Sequence, residues 1–345
     1  MRKFQIIWLL LTLLVLLPII ANAQWQRQRI NTTAGFRGLA VVDDNIIWAS
    51  GTGGTVIRTT DGGATWKVIT VPGAERLDFR DIEAFDTDTA YILSIGNGES
   101  SRIYKTTDGG ATWKLQFTNK NEKAFFDAIA CRDGDNCIAM SDPVDGKYLL
   151  ISTDDGGANW KPMPNESMPA AKSGEAAFAA SGTCLITQGK KDIYLVTGGT
   201  DARVFHTDKD GESWTVTDTP LEKGSAGMGI FSIAMRDSDH GIIVGGNYEK
   251  PDRNTGNLAF TKNGGKTWKP GKGLSGYRSA VAYITKDNVI AVGSNGSDLS
   301  IDGGKVWTRL DGENYNAVQA HGFSAIWAVG PNGMVAKLNV KKKMM

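Results

Sequence analysis

One eight-residue phrase occurs six times along the chain, and its first copy reads Thr59-Thr60-Asp61-Gly62-Gly63-Ala64-Thr65-Trp66. Residues 106–113 have the identical sequence, and the other four copies differ from it at several positions. Successive copies lie 47, 47, 54, 54 and 39 residues apart, counted between their final tryptophans Trp66, Trp113, Trp160, Trp214, Trp268 and Trp307. Repeats of this length with strand-like flanks are typical of one four-stranded sheet per repeat, so the spacing predicts an all-β protein, a β-propeller.

The phrase, called the box below, has the composition of a hairpin turn. Its aspartate can accept hydrogen bonds from nearby backbone N–H groups, and its glycines tolerate the positive φ that a tight turn needs. Lys209 and Asn263 replace that aspartate in the fourth and fifth copies, whereas the other four keep it as Asp61, Asp108, Asp155 and Asp302. The tryptophan opens the next strand, where a large ring can fill the wedge between neighbouring blades.

The strand pattern predicts seven blades of four antiparallel strands within residues 24–340. Reading back from each tryptophan places the starts of the first six blades at Phe36, Phe79, Phe125, about Thr183, near Ile230 and at Tyr277. Three further strands follow Trp307, so the seventh blade lacks its outermost strand. Residues 25–30 look like a strand that follows a box without having a repeat of their own. We expect them to complete the seventh blade, because such closure removes the exposed sheet edge.

The pattern Ser/Thr-x-Asp-x-Gly-x-Thr-Trp resembles the Asp-box, or BNR, repeat of sialidases, sortilin-type receptors and photosystem assembly factors. In those families the box joins the third and fourth strands of a blade on the face away from the ligand, which implies a structural role here. Together with the blade count and the pairs at 36–37, 79–80 and 277–278, the boxes most resemble the seven-bladed photosystem II stability and assembly factors and their non-photosynthetic bacterial relatives. That resemblance implies a partner-binding patch at Arg37, Arg80 and Arg278.

Propellers bind ligands over the central channel, at the first ends of the innermost strands. Reading that register places a ring of residues at the channel mouth, namely Arg37, Arg80, Phe126, Thr183, Phe231, Arg278 and Asn316. An inserted segment ahead of blade 4, residues 173–182, is expected to lay Glu175 across the mouth. Two polar loops on the same face add Asp142, Tyr248, Glu249 and Arg253.

Guanidinium groups beside aromatic rings suit a carboxylate, a phosphate, a sugar acid or an acidic peptide. The alternative is that the arginines pair with Asp81, Glu83 or Glu175 and line a wet channel. Our first hypothesis is therefore a non-catalytic propeller that binds a protein partner or an acidic or carbohydrate ligand at this mouth. The charge balance, +1 over the whole chain, offers no basic stripe for nucleic acid.

The second hypothesis is a glycoside hydrolase of the sialidase type, in which an arginine triad holds the substrate carboxylate. Against it, the Phe-Arg-Ile-Pro motif is absent, and the nearest string is Phe36-Arg37-Gly38-Leu39. Sialidases also normally have six blades. An oxidoreductase is the least favoured class, because the chain has no dinucleotide fingerprint, no Cys-x-x-Cys and no haem motif. No cofactor is predicted.

The two ends of the chain read as segments outside the fold. Arg2 and Lys3 precede an apolar run over residues 6–20, and Ala21-Asn22-Ala23 matches a small-x-small cleavage site. Residues 1–23 are thus predicted to be a cleaved secretory signal, with no second segment able to cross a membrane. We expect an exported monomer, periplasmic or extracellular, with a solvated basic tail at residues 341–345.

Three cysteines fit an exported protein in two ways. Cys131 and Cys137 flank a turn in the first hairpin of blade 3 and should face each other, which in an oxidising compartment allows a disulfide. The alternative is that both, like Cys184, are reduced small hydrophobes in strands. The number and spacing of the cysteines and histidines exclude a structural zinc site, and no metal is predicted.

Overall fold

The computed structural model describes residues 24–340 as seven antiparallel sheets that follow one another along the chain. The innermost strands of neighbouring blades contact each other in ring order, from blade 1 to blade 7 and back to blade 1. This arrangement confirms the predicted seven-bladed β-propeller. The predicted secretory signal, residues 1–23, and the basic tail, residues 341–345, lie outside the described residues.

Six blades run from the innermost to the outermost strand in chain order. Blades 1 to 3 comprise Phe36–Val41, Ile47–Gly51, Thr55–Thr59 and Lys67–Thr70; Phe79–Ala84, Thr89–Ser94, Arg102–Thr107 and Lys114–Thr118; and Phe126–Cys131, Cys137–Val144, Lys147–Thr153 and Lys161–Pro162. Blades 4 to 6 comprise Leu185–Gln188, Asp192–Val196, Arg203–Thr207 and Thr215–Asp218; Met228–Met235, His240–Asn247, Leu258–Lys262 and Lys269–Pro270; and Ala280–Tyr283, Val289–Gly293, Gly296–Ser300 and Thr308–Asp311.

Helix is confined, within residues 24–340, to one 3₁₀ turn at Gly98–Ser100. That turn precedes the third strand of blade 2. Over the same range, the chain contains no helix with the length and apolar character needed to cross a bilayer.

Blade 7 joins the two ends of the described chain. It contains Ala317–His321, Ala325–Val329 and Val335–Asn339, and its outermost strand is Gln24–Arg27. Trp25 lies opposite Leu338 in this antiparallel pair. The Trp25 indole N–H also donates to Ser297 Oγ in blade 6 at 2.8 Å. The predicted closure is therefore confirmed, although the closing strand ends at Arg27 rather than Ile30.

The box turns share one hydrogen-bond pattern. In blade 1, Asp61 Oδ1 accepts the Thr65 backbone N–H at 2.8 Å and the Thr59 hydroxyl at 2.7 Å. The same two bonds recur at Asp108, Asp155, Asn263 and Asp302. Lys209 in blade 4 has no side-chain oxygen to accept them. That turn keeps the bonds made to the hydroxyl of Thr207 and the backbone bond from the Glu212 N–H to the Lys209 carbonyl.

The box tryptophans pack onto the preceding blade. The Trp66 ring meets Trp327 of blade 7 edge-on at 5.5 Å, and the Trp160 ring meets Tyr91 of blade 2 in the same way at 6.5 Å. Such contacts fill the wedge between twisted sheets with rings rather than voids, and each repeat therefore stabilises the blade before it.

The first hairpin of blade 3 carries a disulfide. Cys131 and Cys137 lie directly opposite each other in the antiparallel pair and are covalently linked. Cys184 is a free, buried thiol. Of the two alternatives left open by the sequence, the structure contains the disulfide.

Blade 4 is preceded by the predicted insertion, which ties it to blade 5. Glu175–Ala176 pairs with Gly198–Gly199, and that short strand continues onto Met228–Met235, the innermost strand of blade 5. The next residues of the insertion, 177–182, run over the innermost strands toward blades 1 and 2, because the carbonyl groups of residues 179 and 180 contact Arg80 and Arg37.

Lys209→Asp should restore the missing acceptor in the blade 4 box and raise the melting temperature by on the order of 1–2 °C. Hydrogen bonds lower the pKa of Asp61, Asp108 and Asp155 to about 2. The gain should therefore be complete above about pH 4 and disappear as the pH falls through 2. Thermal melts measured across this range test it. Lys209→Ala, which removes the charge without supplying an acceptor, is the control, and an equal rise in that variant would contradict the explanation.

Candidate functional site

A β-bulge near the start of the innermost strand aims one side chain of several blades toward the axis. The strand register shifts by one residue at this point in blades 1, 2, 3 and 5. The bulged residues are Arg37, Arg80, Asp127 and Phe231. Because a bulge redirects a side chain without ending the sheet, it can place a polar group at the axis while its neighbours stay in the core.

Arg37, Arg80 and Phe231 line one cavity of about 460 Å³ at the centre of the ring. Residues 178–180 of the insertion form one side of it, Tyr248 and Tyr277 add aromatic rings, and Tyr315 also borders it. The remaining lining is small or polar and comprises Ser279, Ser294, Asn314, Asn316 and Pro331. A cavity of this size is within the range that binds a small molecule or a few side chains of a partner.

Arg37 and Arg80 are solvated by main-chain carbonyl groups of the insertion. Arg37 donates to the carbonyl oxygen of Ala180 at 3.2 Å, and Arg80 donates to that of Ala179 at 3.3 Å. Arg80 also pairs with Asp78 at 2.8 Å, whereas none of the described carboxylates lies within 4 Å of the Arg37 guanidinium. Burial, and secondarily the charge of Arg80, lower the pKa of Arg37. The cavity thus holds a half-buried cation that is not paired with a carboxylate of residues 24–340.

Four aromatic rings form an apolar wall of the cavity. Phe178 of the insertion stacks on Phe231 with 3.8 Å between ring centroids, and Phe231 meets Tyr277 edge-on at 4.8 Å. Tyr248 lies at the rim, 6.1 Å from Phe231, and its side chain is 48% exposed. Burial raises the pKa of Tyr277, so its hydroxyl stays protonated. This wall has one accessible ring, that of Tyr248, at its edge.

The prediction that Arg278 joins the other two arginines is wrong. The start of the innermost strand of blade 6 is offset by one residue relative to blades 1 and 2. The Arg278 N–H bonds to Gly245 of the preceding blade, just as the Phe36 N–H bonds to Gly330. Arg278 therefore occupies the buried place of Phe36, and Ser279 takes the position that faces the cavity. The Arg278 side chain is fully buried and donates to Asp298 at 2.8 Å and Asn295 at 2.7 Å.

A constant spacing marks the true register. In six of the seven blades, a buried residue near the start of the innermost strand lies fifteen positions before a glycine or serine in or next to the second strand, in the pairs 36/51, 79/94, 126/141, 230/245, 278/293 and 315/330. This spacing would have assigned Arg278 to the core. It also corrects blade 3, where Phe126 is buried and Asp127 takes the bulge.

Glu175 and Asp142 anchor the insertion instead of facing the cavity, which corrects their predicted place at the mouth. The buried carboxylate of Glu175 accepts from Arg203 Nε at 2.9 Å and from the Thr197 hydroxyl at 2.6 Å. Asp142 Oδ1 accepts the backbone N–H of Ala177 at 2.8 Å. The insertion does cross the mouth as predicted, but it presents Phe178 and main-chain carbonyl groups there.

Of the loop at residues 247–253, only Tyr248 lines the cavity. Arg253 pairs with Glu222 at 3.0 Å, and the Glu249 backbone is held by Asn247. The two arginines of the mouth do not form the pairs considered from the sequence, since the carboxylate that contacts Arg80 is Asp78. Phe178, Tyr277 and Tyr315 were missed as wall residues.

Buried carboxyl groups lie beneath the insertion. Asp81 accepts the backbone N–H groups of Ile129 at 2.7 Å and Ile82 at 2.9 Å, and burial raises its pKa to about 7. Burial also raises the pKa of Glu83, Asp127 and Asp142. In the part of the chain that the structure describes, no three His, Cys, Asp or Glu side chains are placed to hold a metal ion.

Asp81→Asn should flatten the pH dependence of stability. Burial raises the pKa of Asp81 to about 7, so the folded protein keeps a proton that the unfolded chain releases near pH 4. The free energy of unfolding that this group contributes is therefore greatest below pH 4 and falls as the pH rises toward 7, by up to about 1.4 kcal/mol per pH unit. Denaturant unfolding between pH 4 and pH 7 measures the slope. The exposed Asp208→Asn is the control, and an unchanged slope in Asp81→Asn would contradict this prediction.

No family model matches the chain, and no curated protein sequence does so either. Solved propeller structures do match. YCF48 bound to a D1 peptide is 18% identical over 92% of this chain and 97% of that one, with a TM-score of 0.68. YCF48 from Cyanidioschyzon merolae is 18% identical over 92% and 99% of the two chains, with a TM-score of 0.65. The GH74 enzyme of Niastella koreensis is 14% identical over 91% of this chain and 53% of that one, with a TM-score of 0.61. At these levels of sequence identity, the structural matches show a shared fold.

Proposed function

We propose that the protein is an exported, non-catalytic propeller whose central cavity binds an acidic segment of a protein partner at Arg37 and Arg80. The observation that carries the proposal is the half-buried guanidinium of Arg37, which none of the described carboxylates approaches within 4 Å. A carboxylate supplied by a ligand would neutralise this charge and could engage the planar guanidinium through two hydrogen bonds. Hydrogen bonds to charged groups contribute about 1.5–3 kcal/mol.

The aromatic wall favours a peptide over a simple anion. Phe178, Phe231 and Tyr277 offer apolar surface beside the two arginines, and Tyr248 lies exposed at the rim. A partner segment that places an acidic residue next to an apolar one would use both surfaces. The fold neighbour YCF48 was solved with a D1 peptide bound, which makes a peptide a reasonable class of ligand for this architecture.

Two further features agree with the proposal. The boxes and the Phe-Arg pairs at 36–37 and 79–80 carry the resemblance to the photosystem II assembly factor family, in which an arginine patch binds a partner. The disulfide between Cys131 and Cys137 is of a kind that persists in oxidising compartments. It therefore agrees with the secretory signal predicted at residues 1–23 and with a periplasmic or extracellular location.

Binding accounts for this cavity better than glycoside hydrolysis. A glycosidase sets two carboxyl groups on either side of the bond that it cleaves, about 5–10 Å apart. The described residues that line the cavity are arginines, aromatic rings, amides, hydroxyls and small side chains. The likeness to the GH74 enzyme, at 14% identity, extends to the fold alone.

Arg37→Ala and Arg80→Ala should each weaken capture of the partner by about tenfold, because each removes a charged hydrogen-bond donor from the cavity. Arg37→Lys should recover only part of the loss, since an ammonium group keeps the charge but not the planar fork. The measurement is affinity capture from the organism's own envelope fraction on immobilised protein lacking residues 1–23, with bound proteins quantified by mass spectrometry.

Arg309→Ala, on the exposed outer strand of blade 6, is the matched control and should capture as the unmodified protein does. Unaltered capture by Arg37→Ala and Arg80→Ala would remove the site. Turnover of a fluorogenic glycoside that is abolished by Arg37→Ala would replace the proposal with the hydrolase.

A further inference from the structure

The box turns of blades 5 and 6 enclose a second concave surface, a groove of about 580 Å³. Phe260 and Tyr283 form part of its walls. Tyr283 is the last residue of its innermost strand, and Arg236 directly follows the innermost strand of blade 5, whereas the central cavity lies at the first ends of such strands. The groove is therefore on the opposite face of the ring from the central cavity.

Ammonium groups dominate the charge of this groove. Lys262, Lys269 and Lys305 line it, and no carboxylate of residues 24–340 lies within 4 Å of any of their Nζ atoms. Arg236 also lines the groove but is paired with Asp237 at 2.9 Å. Two carboxylates, Asp287 and Asp302, face the three lysines. Two more lysines neighbour the groove: Lys266 belongs to the blade 5 box, and Lys286 lies in the turn between the first two strands of blade 6.

The blade 6 box differs from every other box at the two positions that face solvent. Ile301 and Val306 are 60% and 66% exposed, and they are the most exposed large hydrophobic side chains of the described residues. The other five boxes have polar residues at these positions, namely Thr60 and Thr65, Thr107 and Thr112, Asp154 and Asn159, Asp208 and Ser213, and Lys262 and Thr267.

This substitution removes a hydrogen bond from the turn. In blade 1 the Thr65 hydroxyl donates to Asp61 Oδ2 at 2.6 Å, and blade 2 has the same bond. Val306 cannot donate, so Asp302 Oδ2 has no such partner within its own box. The blade 6 box thus gives up a bond that stabilises its counterparts and exposes aliphatic surface to water. An exposed apolar pair beside a charged groove is a feature of interaction surfaces.

We propose that this groove, with Ile301 and Val306 at its edge, is a second docking surface that binds an acidic segment of a protein partner carrying aliphatic side chains. Charge complementarity selects the acidic segment, since three unpaired ammonium groups line the groove. The aliphatic side chains of the segment cover Ile301 and Val306. A concave surface walled by Phe260 and Tyr283 fits an extended chain, whereas the flat surface of a bilayer does not enter it. With ligand sites on both faces, the propeller can hold two segments at once.

The test uses two fluorescein-labelled synthetic peptides, one of alternating Glu and Leu and one of alternating Lys and Leu. They are titrated into protein carrying Arg37→Ala and Arg80→Ala, so that the central cavity does not contribute. Fluorescence anisotropy should show saturable binding of the Glu/Leu peptide that weakens with added salt. Adding Ile301→Thr with Val306→Thr should weaken it at least fivefold, and adding Lys269→Gln with Lys305→Gln should do the same.

The matched control is Lys67→Gln with Lys114→Gln, because these lysines follow the box tryptophans of blades 1 and 2 as Lys269 follows that of blade 5. It should leave binding unchanged. Thermal melts check folding, and Ile301→Thr with Val306→Thr should melt no lower than its parent, since a threonine hydroxyl can donate to Asp302.

Three outcomes would overturn the inference: no saturable binding, equal binding of both peptides, or equal loss in the control. Co-sedimentation with phosphatidylglycerol vesicles that requires Ile301 and Val306, without peptide binding, would assign the surface to a membrane instead.

Discussion

The pairing of Gln24–Arg27 with Val335–Asn339 is the constraint on which the central cavity depends. Seven sheets surround an axis only if the last is held against the first, and this strand supplies the missing fourth position of blade 7. Trp25 reaches blade 6 through its bond to Ser297. It also packs on Tyr315, the buried residue that precedes the innermost strand of blade 7 and borders the cavity. The closing strand therefore contacts a residue that borders the cavity. Without the closing strand, Val335–Asn339 would be the edge of the last sheet and could recruit another strand.

Within the closed ring, β-bulges decide which side chains reach the axis. Side chains alternate between the two faces of a strand, so a shift of one residue moves a side chain from the core to the cavity. Arg37 and Arg80 are bulged residues, while the phenylalanines before them remain in the core. The start of the innermost strand of blade 6 is offset by one residue relative to blades 1 and 2, which puts Arg278 in the core and Ser279 at the axis.

The repeat made the architecture predictable, because the boxes and their tryptophans recur at intervals that only a few folds produce. Blade number, closure by the N-terminal strand, and the positions of Arg37, Arg80 and Tyr248 followed from that period. Side-chain direction did not follow, since reading Tyr277-Arg278 as an equivalent of Phe36-Arg37 is an error of a single residue. Glu175 was misplaced for a different reason. Its partner Arg203 lies 28 positions away in the sequence, and no local pattern signals a buried ion pair between them.

The buried arginines of the core and Arg37 of the cavity have different partners. This difference distinguishes arginines with a structural role from the arginine that we propose binds a ligand. Arg203 and Arg278 are buried and each pairs with a carboxylate, Glu175 or Asp298. Leaving such a charge unpaired in the interior would cost about 3–5 kcal/mol. Among the described residues, Arg37 donates only to a main-chain carbonyl group of the insertion, which satisfies a donor without neutralising the charge. A carbonyl group holds the guanidinium in place, but it carries no negative charge to balance that of the arginine. The insertion therefore positions the cation of the cavity, and under the proposed function a ligand supplies the charge that balances it.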